Sequence, residues 1–166
     1  TLNTKTDVIE KVLKALGPKL VGVFDAVRPH VPREDVSAAV NKAEPLQPDL
    51  LVSIGGGSAT DLTKILALCL KHGLRTPESM EAYHLVVNAD HTVTAPVFEG
   101  PDIPVVIAPT TLSGGEFNAL SGATDKVTNV KQGYVHPKMT ARAIILDPAI
   151  CVHTPEWIWM STGVRS

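Results

Sequence analysis

The residues with the clearest chemical potential are three consecutive glycines that follow an apolar run. Residues 50–54 are mostly apolar, residues 55–57 are Gly-Gly-Gly, and a helical pattern begins just after Ser58. A strand that turns directly into a helix leaves the first helical amides unpaired, and the helix dipole places positive potential there. Glycines keep Cβ atoms out of the path of an anion. The segment therefore predicts a phosphate-binding turn, with Ser58 as the helix cap.

The spacing of these glycines differs from two common phosphate-binding fingerprints. Thr60 stands where the dinucleotide pattern has its third glycine, and no Gly-Lys-Ser/Thr sequence follows as a P-loop requires. An ordinary strand-to-helix turn of an α/β protein therefore stays open as an alternative. Asp61 and Lys64 lie one helical turn apart, and this spacing favours a surface ion pair over contact with a ligand.

A second strand-like run, beginning at Ile103, also ends in a glycine-rich loop. The loop carries Thr110, Thr111 and Ser113 before two glycines and Glu116. Loops at one edge of a parallel sheet are where such proteins hold ligands, so we expect both loops to border one cleft. Glu116 is the carboxylate expected to face this cleft, the alternative being a helix-start residue near free amides.

Helical and strand patterns alternate around these loops. Helices are predicted at 8–16, from Pro32 to about residue 43, and at 59–71, while strands are predicted at 20–24, before Gly55, from Ile103 and at 143–146. Residues 119–124 and 133–135 form a predicted antiparallel pair, and residues 76–101 are predicted as mostly loop. The pattern indicates an α/β fold: a Rossmann-like parallel sheet with helices on both faces and a small β-hairpin insertion.

Together these segments resemble the iron-containing (group III) alcohol dehydrogenase family. Its pattern is a strand, Gly-Gly-Gly-Ser, an Asp and a Lys at the spacing of Asp61 and Lys64, and later a strand closed by Pro-Thr-Thr, here residues 109–111. Residues 111–117, Thr-Leu-Ser-Gly-Gly-Glu-Phe, are most similar to the maleylacetate reductase-like branch. Segments that extend the resemblance over nearly the whole chain are 1–6, 23–32, 121–125, 143–148 and 154–165.

The resemblance implies that the cleft binds NAD or NADP. The implied contacts are backbone atoms of Gly56, Gly57 and Ser58 at the pyrophosphate, Thr110 and Thr111 at the adenine or ribose, Lys131 near the ribose or phosphate, and Ser113. In the family, hydride passes between the nicotinamide and a carbon polarised by a metal. The implied organisation is a dinucleotide-binding domain at 1–148, followed at 149–166 by the start of a helical metal-binding domain.

The resemblance also implies that the family's first strand and its metal ligands lie outside this sequence. An iron or zinc ion is therefore expected only in a full-length relative, and no metal ligand is predicted among the six histidines, whose spacing is not that of a metal site. Two further classes stay open. One is a shortened, repurposed non-redox enzyme with Ser113, Glu116, Lys131 and His136 as acid–base groups, and the other is a non-catalytic binding or assembly module.

Composition narrows the function classes. The chain has 166 residues, 44% of them hydrophobic, and a formal net charge of −2 with scattered Lys and Arg, which predicts one core and no nucleic-acid partner. Without a membrane-length apolar run or a signal-peptide pattern, a cytoplasmic protein acting on a small-molecule substrate is expected, with Cys69 and Cys151 as free thiols. The Trp-Ile-Trp-Met run at 157–160 predicts a homodimer with this tail or an open sheet edge in the contact, unless the tail folds back on its own chain.

Overall fold

A computed structural model describes residues 2–164, and Thr1, Arg165 and Ser166 lie outside the described residues. Thr1 and Arg165 belong to segments of the resemblance, and Arg165 and Ser166 belong to the expected second domain. The helices are α1 (Leu2–Lys5), α2 (Val8–Leu16), α3 (Arg33–Ala43), α4 (Gly57–His72), α5 (Pro148–Cys151) and α6 (Glu156–Gly163). The strands are β1 (Leu51–Gly55), β2 (Val86–Val87), β3 (Val93–Thr94), β4 (Val105–Pro109), β5 (Leu120–Asp125), β6 (Val130–Val135) and β7 (Ala143–Ile144).

The central sheet is parallel and has the strand order β1-β4-β7. Leu51 lies opposite Val105 and Gly55 opposite Pro109, so β1 and β4 end at the same edge. Strands β5 and β6 form an antiparallel hairpin, and β2 and β3 form a shorter one. This architecture, a parallel sheet flanked by helices with small hairpins, confirms the predicted α/β fold class.

The main core lies between α3, α4 and the β5–β6 hairpin. Its centre is made of fully buried side chains: Val36, Val40, Ile65, Leu68 and Tyr134. A smaller cluster joins Ala67 of α4 to Val105 and Ile107 of β4. Because α4 packs against both clusters, burial of its apolar side chains fixes the position of its N-terminus relative to the sheet edge.

The strand predicted at residues 20–24 is wrong. The segment is irregular, and within residues 2–164 no strand ladder includes it. Val21 and Val23 stay exposed, at 54% and 37%. A strand needs a neighbouring strand that pairs with its amides and carbonyls. In the described part of the chain β1 pairs with β4, and residues 20–24 pair with neither strand. The apolar pattern identified an extended segment but did not supply its partner.

The predicted helices agree better with the structure. Helix α2 has the predicted bounds, α3 follows Pro32, and α4 ends at Gly73, which has the left-handed φ of 64° typical of a helix end. The segment 76–101 contains a 3-10 helix, Glu78–Tyr83, and the β2–β3 hairpin in addition to loop. Within residues 2–164, no helix combines the length and the apolarity needed to cross a bilayer.

Candidate functional site

The two glycine-rich loops lie side by side at the carboxyl edge of the sheet, as predicted. The Thr110 amide donates to the Gly55 carbonyl at 2.9 Å. A Cβ built on Gly56 would lie 2.9 Å from Thr111 Cγ2, and one built on Gly57 would lie 2.9 Å from Ser113 Oγ. Side chains on either glycine would therefore displace the side chain of Thr111 or Ser113 in the second loop.

Helix α4 starts immediately after the turn, with Gly56 as its N-cap residue. The Gly56 carbonyl accepts from the amides of Ala59 and Thr60 at 2.9 and 3.2 Å. The amides of Gly57 and Ser58 have no acceptor within the helix, because the first turn of any α-helix leaves its N–H groups without one. Together with the helix dipole, these amides form a favourable place for an anion.

The predicted cap by Ser58 is wrong. Ser58 is the second residue of α4, and among the described residues no side chain accepts a capping hydrogen bond at the start of this helix. The strand turns into the helix without an intervening loop, so a glycine occupies the cap position and Ser58 falls one step inside. Its hydroxyl remains at the cleft, where it can act as a donor to a ligand.

The loops border an open cleft of about 1880 Å³. Its lining includes all the predicted cofactor contacts: Gly56, Gly57, Ser58, Thr110, Thr111, Ser113 and Lys131. Apolar residues of the 20–24 segment and of β1 line it further along. Pockets for small ligands typically measure roughly 300–1,000 Å³, so this cleft can accept an extended molecule.

Lys131 reaches the cleft from the hairpin and is paired there. Its Nζ donates to Asp61 Oδ2 at 2.9 Å, which ties β6 to the second turn of α4. The aliphatic part of Lys131 lies over Gly122, where a built Cβ would clash with Lys131 Cε. The lysine side chain remains 47% exposed and Asp61 only 15%. An ammonium group therefore stands at the cleft margin with a carboxylate holding it in place.

The predicted surface pair of Asp61 and Lys64 is also wrong. Lys64 is fully buried, and its Nζ donates to the carbonyls of Gly115, Asn118 and Leu120 at 2.8–2.9 Å. Burial lowers the pKa of Lys64, although the carboxylates of Asp61 and Glu116 oppose this shift. The helical spacing gave no sign of this arrangement, because its acceptors lie more than 50 residues further along the chain.

Glu116 does not line the cleft, and its place in a short helix agrees with the alternative prediction of a helix-start residue. It lies in the 3-10 helix Gly115–Phe117 and is 4% exposed. Its Oε2 is buried without a hydrogen-bond partner among the described residues. The chain reverses at Gly114, which has a φ of 69°, and the following turn packs against α4. The glutamate is therefore enclosed by the loop.

His136 lies elsewhere as well. Its Nδ1 accepts from the Lys138 amide at 3.0 Å, and its ring packs against Phe98 with centroids 5.6 Å apart. Of the four groups considered for acid–base chemistry, the structure brings only Ser113 and Lys131 to the cleft. Within residues 2–164, no three His, Cys, Asp or Glu side chains are grouped so that they could hold a metal ion.

Two hydroxyls near the C-terminus contact the second loop, and no sequence pattern indicates these contacts. Thr154 Oγ1 donates to the Thr110 carbonyl at 2.6 Å, and Thr162 Oγ1 accepts from the Leu112 amide at 3.1 Å. The tail therefore packs partly on its own chain, whereas Trp157 remains 72% exposed. Contacts over 44 and 50 residues leave no local pattern from which they could be predicted.

Comparison with known proteins shows which family this chain matches. The family model described as "Iron-containing alcohol dehydrogenase" matches residues 1–148. Dehydrogenase ALT3 of Alternaria alternata is 34% identical over 162 residues, which cover 97% of this chain and 41% of that protein. The NAD-dependent methanol dehydrogenase of Bacillus methanolicus is 30% identical over 145 residues, 87% of this chain and 35% of that protein.

A solved structure shows the same fold. The crystal structure of maleylacetate reductase from Rhizobium sp. strain MTP-10005 matches with a TM-score of 0.68 at 27% identity, and the match covers 94% of this chain and 35% of that one. The chain therefore spans less than half the length of the relatives that it matches.

Proposed function

Because the chain belongs to the iron-containing alcohol dehydrogenase family, as its sequence predicts, we propose that its cleft binds NAD or NADP as the nucleotide-binding part of an oxidoreductase. The observation that supports this most directly is the pairing of the two loops. Gly56 lies against Thr111 and Gly57 against Ser113, and the amides of Gly57 and Ser58 at this turn have no acceptor among the described residues. A pyrophosphate bound in the cleft beside the two loops could receive donors from both of them.

Five of the predicted contacts have a definite chemical task in this proposal. The amides of Gly57 and Ser58 bind pyrophosphate oxygens, and the hydroxyls of Thr111 and Ser113, 3.3 Å apart, hold a neighbouring phosphate or ribose oxygen. Lys131 supplies a positive charge at the cleft margin. The nicotinamide supplies the hydride chemistry when the nucleotide is bound, and the chain's own residues bind and orient it.

For the complete redox reaction, the proposal extends to the class of reaction but not to its metal ligands. Members of the family polarise a small carbonyl or alcohol substrate with a metal, as the resemblance implies. Within residues 2–164 no group of side chains fits a metal, so we assign no ligand and derive no step through one. The predicted division at residue 148, the helical metal-binding domain and a small-molecule substrate of the alcohol dehydrogenase or maleylacetate reductase type remain part of the proposal.

Assembly is a second candidate function with its own observation. Helix α6 exposes Trp157 by 72% and Met160 by 59%, whereas Ile158 and Trp159 are half-buried. Exposed large apolar side chains of this kind are typical of protein contacts, so we propose a homodimer that uses this face of α6. The cytoplasm stays the compartment that composition predicts.

Calorimetric titration of the chain with NADH and NADPH tests the nucleotide proposal. Saturable binding of one nucleotide, with competition by ADP-ribose, is expected because the pyrophosphate and adenosine provide the contacts named above. AMP lacks the pyrophosphate and should compete more weakly. A folded chain that binds neither nucleotide at about millimolar concentration would contradict the proposal, since that affinity corresponds to only about 4 kcal/mol.

A further inference from the structure

Lys64 is a buried charge to which the proposed function gives no task. It lies in the second turn of α4 and is 0% exposed. Its ammonium donates to three backbone carbonyls, those of Gly115, Asn118 and Leu120, at 2.9, 2.8 and 2.8 Å. An ammonium group has three N–H donors, so this arrangement uses all of them.

All three acceptors lie in one short stretch that continues the second loop. Residues 115–120 contain the 3-10 helix Gly115–Phe117 and the first residue of β5. Thr111 and Ser113, which stand against the glycine turn, come directly before this stretch. Lys64 belongs to α4, whose N-terminus forms the opposite wall of the cleft. The Lys64 side chain therefore connects α4, on one side of the cleft, to the continuation of the second loop on the other side.

Packing alone does not account for a lysine at this position. Removing an ammonium group from water is costly unless every donor finds a partner, and an apolar side chain of similar length would fill the space without that cost. The carboxylates of Asp61 and Glu116 act on Lys64 through space but make no hydrogen bond to its Nζ in the described structure. What the lysine adds is donors for three carbonyls, and these fix the path of the loop.

We propose that Lys64 is a positioning residue for nucleotide binding: it holds residues 115–120 against α4 and so keeps Thr111 and Ser113 opposite the glycine turn. The binding part of this inference rests on the proposed function. The loop-holding part does not, because it can be measured in the absence of any nucleotide. The two can therefore fail separately.

Lys64→Met is the test variant, and Lys71→Met on the same helix is its control. Lys71 makes ion pairs with Glu99 and Asp102, so the control also removes a charge and its contacts from α4. Hydrogen exchange is read at the Phe117 amide, which donates to Gly114, and at the Leu120 amide, which donates to the Asn118 side chain. In the Lys64 variant these amides should exchange about tenfold faster or more, with β1 unchanged.

Affinity for NADH is measured on the same samples under conditions where thermal scans show them folded. The Lys64 variant should lose about tenfold or more in affinity, and the Lys71 variant should keep that of the wild type. Lys64→Arg retains the charge and donors and should recover part of both the protection and the affinity. A folded Lys64→Met chain with unchanged loop exchange, or with a loosened loop but unchanged NADH affinity, would overturn the proposal.

The proposal can still be tested if Lys64→Met does not fold or if the wild type binds no nucleotide. If Lys64→Met does not fold, the wild type decides: loop amides at 117 and 120 that exchange at nearly unprotected rates in the folded protein would show that Lys64 does not hold the loop. If the wild type binds neither NADH nor NADPH, the proposed function fails, and with it the binding part of this inference. Slow loop exchange that depends on Lys64 would then still establish its action on the loop.

Discussion

At the residue scale, Gly56 shows why a glycine is needed at the cleft. Its φ of −82° is accessible to any residue, so backbone conformation does not require glycine there. The requirement comes from the second loop, since Thr111 Cγ2 occupies the position that a Cβ would need. The sequence suggested that glycines leave room for an anion, and the structure shows that they also leave room for the neighbouring loop.

Gly56→Ala should therefore destabilise the protein by pushing the loops apart. Overpacking of this kind typically costs about 1–3 kcal/mol in free energy of unfolding, and NADH affinity should fall with it. Thr111→Ser removes the Cγ2 atom, so the double variant should recover much of the loss in denaturant unfolding. Gly115→Ala is the control, because its Cβ would meet only Thr60 Cγ2 at an ordinary 3.6 Å. Equal losses for both alanine variants would contradict the argument.

Lys131 and Asp61 allow the binding role of the lysine to be separated from its structural role. Lys131→Met should weaken NADH binding roughly tenfold and flatten its dependence on salt, because a charged contact to phosphate is lost. Asp61→Asn removes the competing carboxylate, so affinity should stay equal or rise. Lys131→Met should alter the free energy of unfolding by only about 0.2–1 kcal/mol, because the lysine end of this pair is largely exposed. If both variants weaken NADH binding equally, the Lys131–Asp61 pair holds β6 against α4 and Lys131 does not contact the phosphate.

Lys64 marks the limit of prediction for single residues. Its spacing from Asp61 is that of a surface pair, and the local sequence offers no reason to bury it. The decisive contacts come from carbonyls of residues 115–120, whose position depends on the complete fold. By contrast, the seven predicted cofactor contacts all line the cleft, because each belongs to a loop or hairpin that its local sequence identifies.

At the scale of elements, the predictions succeeded where one segment carries its own signal. Helix α2 has an apolar stripe and ends at a Gly-Pro pair, and α4 has glycines at both ends. Their approximate bounds can therefore be predicted without knowing how the rest of the chain folds. Residues 20–24 have the apolar content of a strand, but strand formation depends on a partner that the segment itself cannot specify. Hairpin β5–β6 was found because both of its strands lie close together in sequence.

Helix α3 is linked to the loop before it by an ion pair that should make stability depend on pH. Asp35 Oδ2 accepts from the Arg28 amide at 2.9 Å, and Asp35 Oδ1 accepts from Arg28 Nε at 2.8 Å. Burial by itself would raise the pKa of Asp35, but the hydrogen bonds from Arg28 outweigh it and bring the pKa below the ordinary 3.8. In the pH range between these two pKa values, the unfolded chain binds more protons than the folded one. The stabilisation is therefore present above pH 3.8 and is lost as the pH falls through the lower, folded-state pKa.

Asp35→Asn should accordingly be less stable than the wild type at neutral pH by about 1–3 kcal/mol, the range expected for a buried, charged hydrogen-bonded group. The difference should shrink in urea titrations as the pH falls below 3.8, where the Asp35 carboxylate is protonated first in the unfolded chain and then, at lower pH, in the folded wild type. Asp7→Asn serves as the control, because its pair with Lys11 is exposed and should matter little. A difference that stays constant into acid would assign the effect to packing instead of charge.

At the scale of the whole molecule, the cleft is assembled from segments that are far apart in sequence. The glycine turn, the second loop, hairpin β5–β6 and the tail each contribute to its wall. Parallel pairing of β1 with β4 explains why the two loops meet, and that much follows from the alternation of helices and strands. The contact of the tail with the second loop does not follow from any pattern, because Thr154 and Thr162 act through single hydrogen bonds.

The exposed face of α6 leads to the last prediction, which concerns the molecule as a unit. Trp157 and Met160 are 72% and 59% exposed, whereas Trp159 is half-buried, so Trp157→Ala with Met160→Ala removes the available apolar surface and leaves the packed side of the helix intact. Light scattering at micromolar concentration should show a wild-type homodimer and a monomeric double variant, because large aromatic side chains contribute most of the energy at such contacts. Val97→Ser, which changes a fully exposed apolar residue far from α6 in sequence, should leave the dimer unchanged. A monomeric wild type would rule out this contact. A double variant that remains dimeric would assign the interface to another surface, such as the edge of β1 that pairs with no strand within residues 2–164.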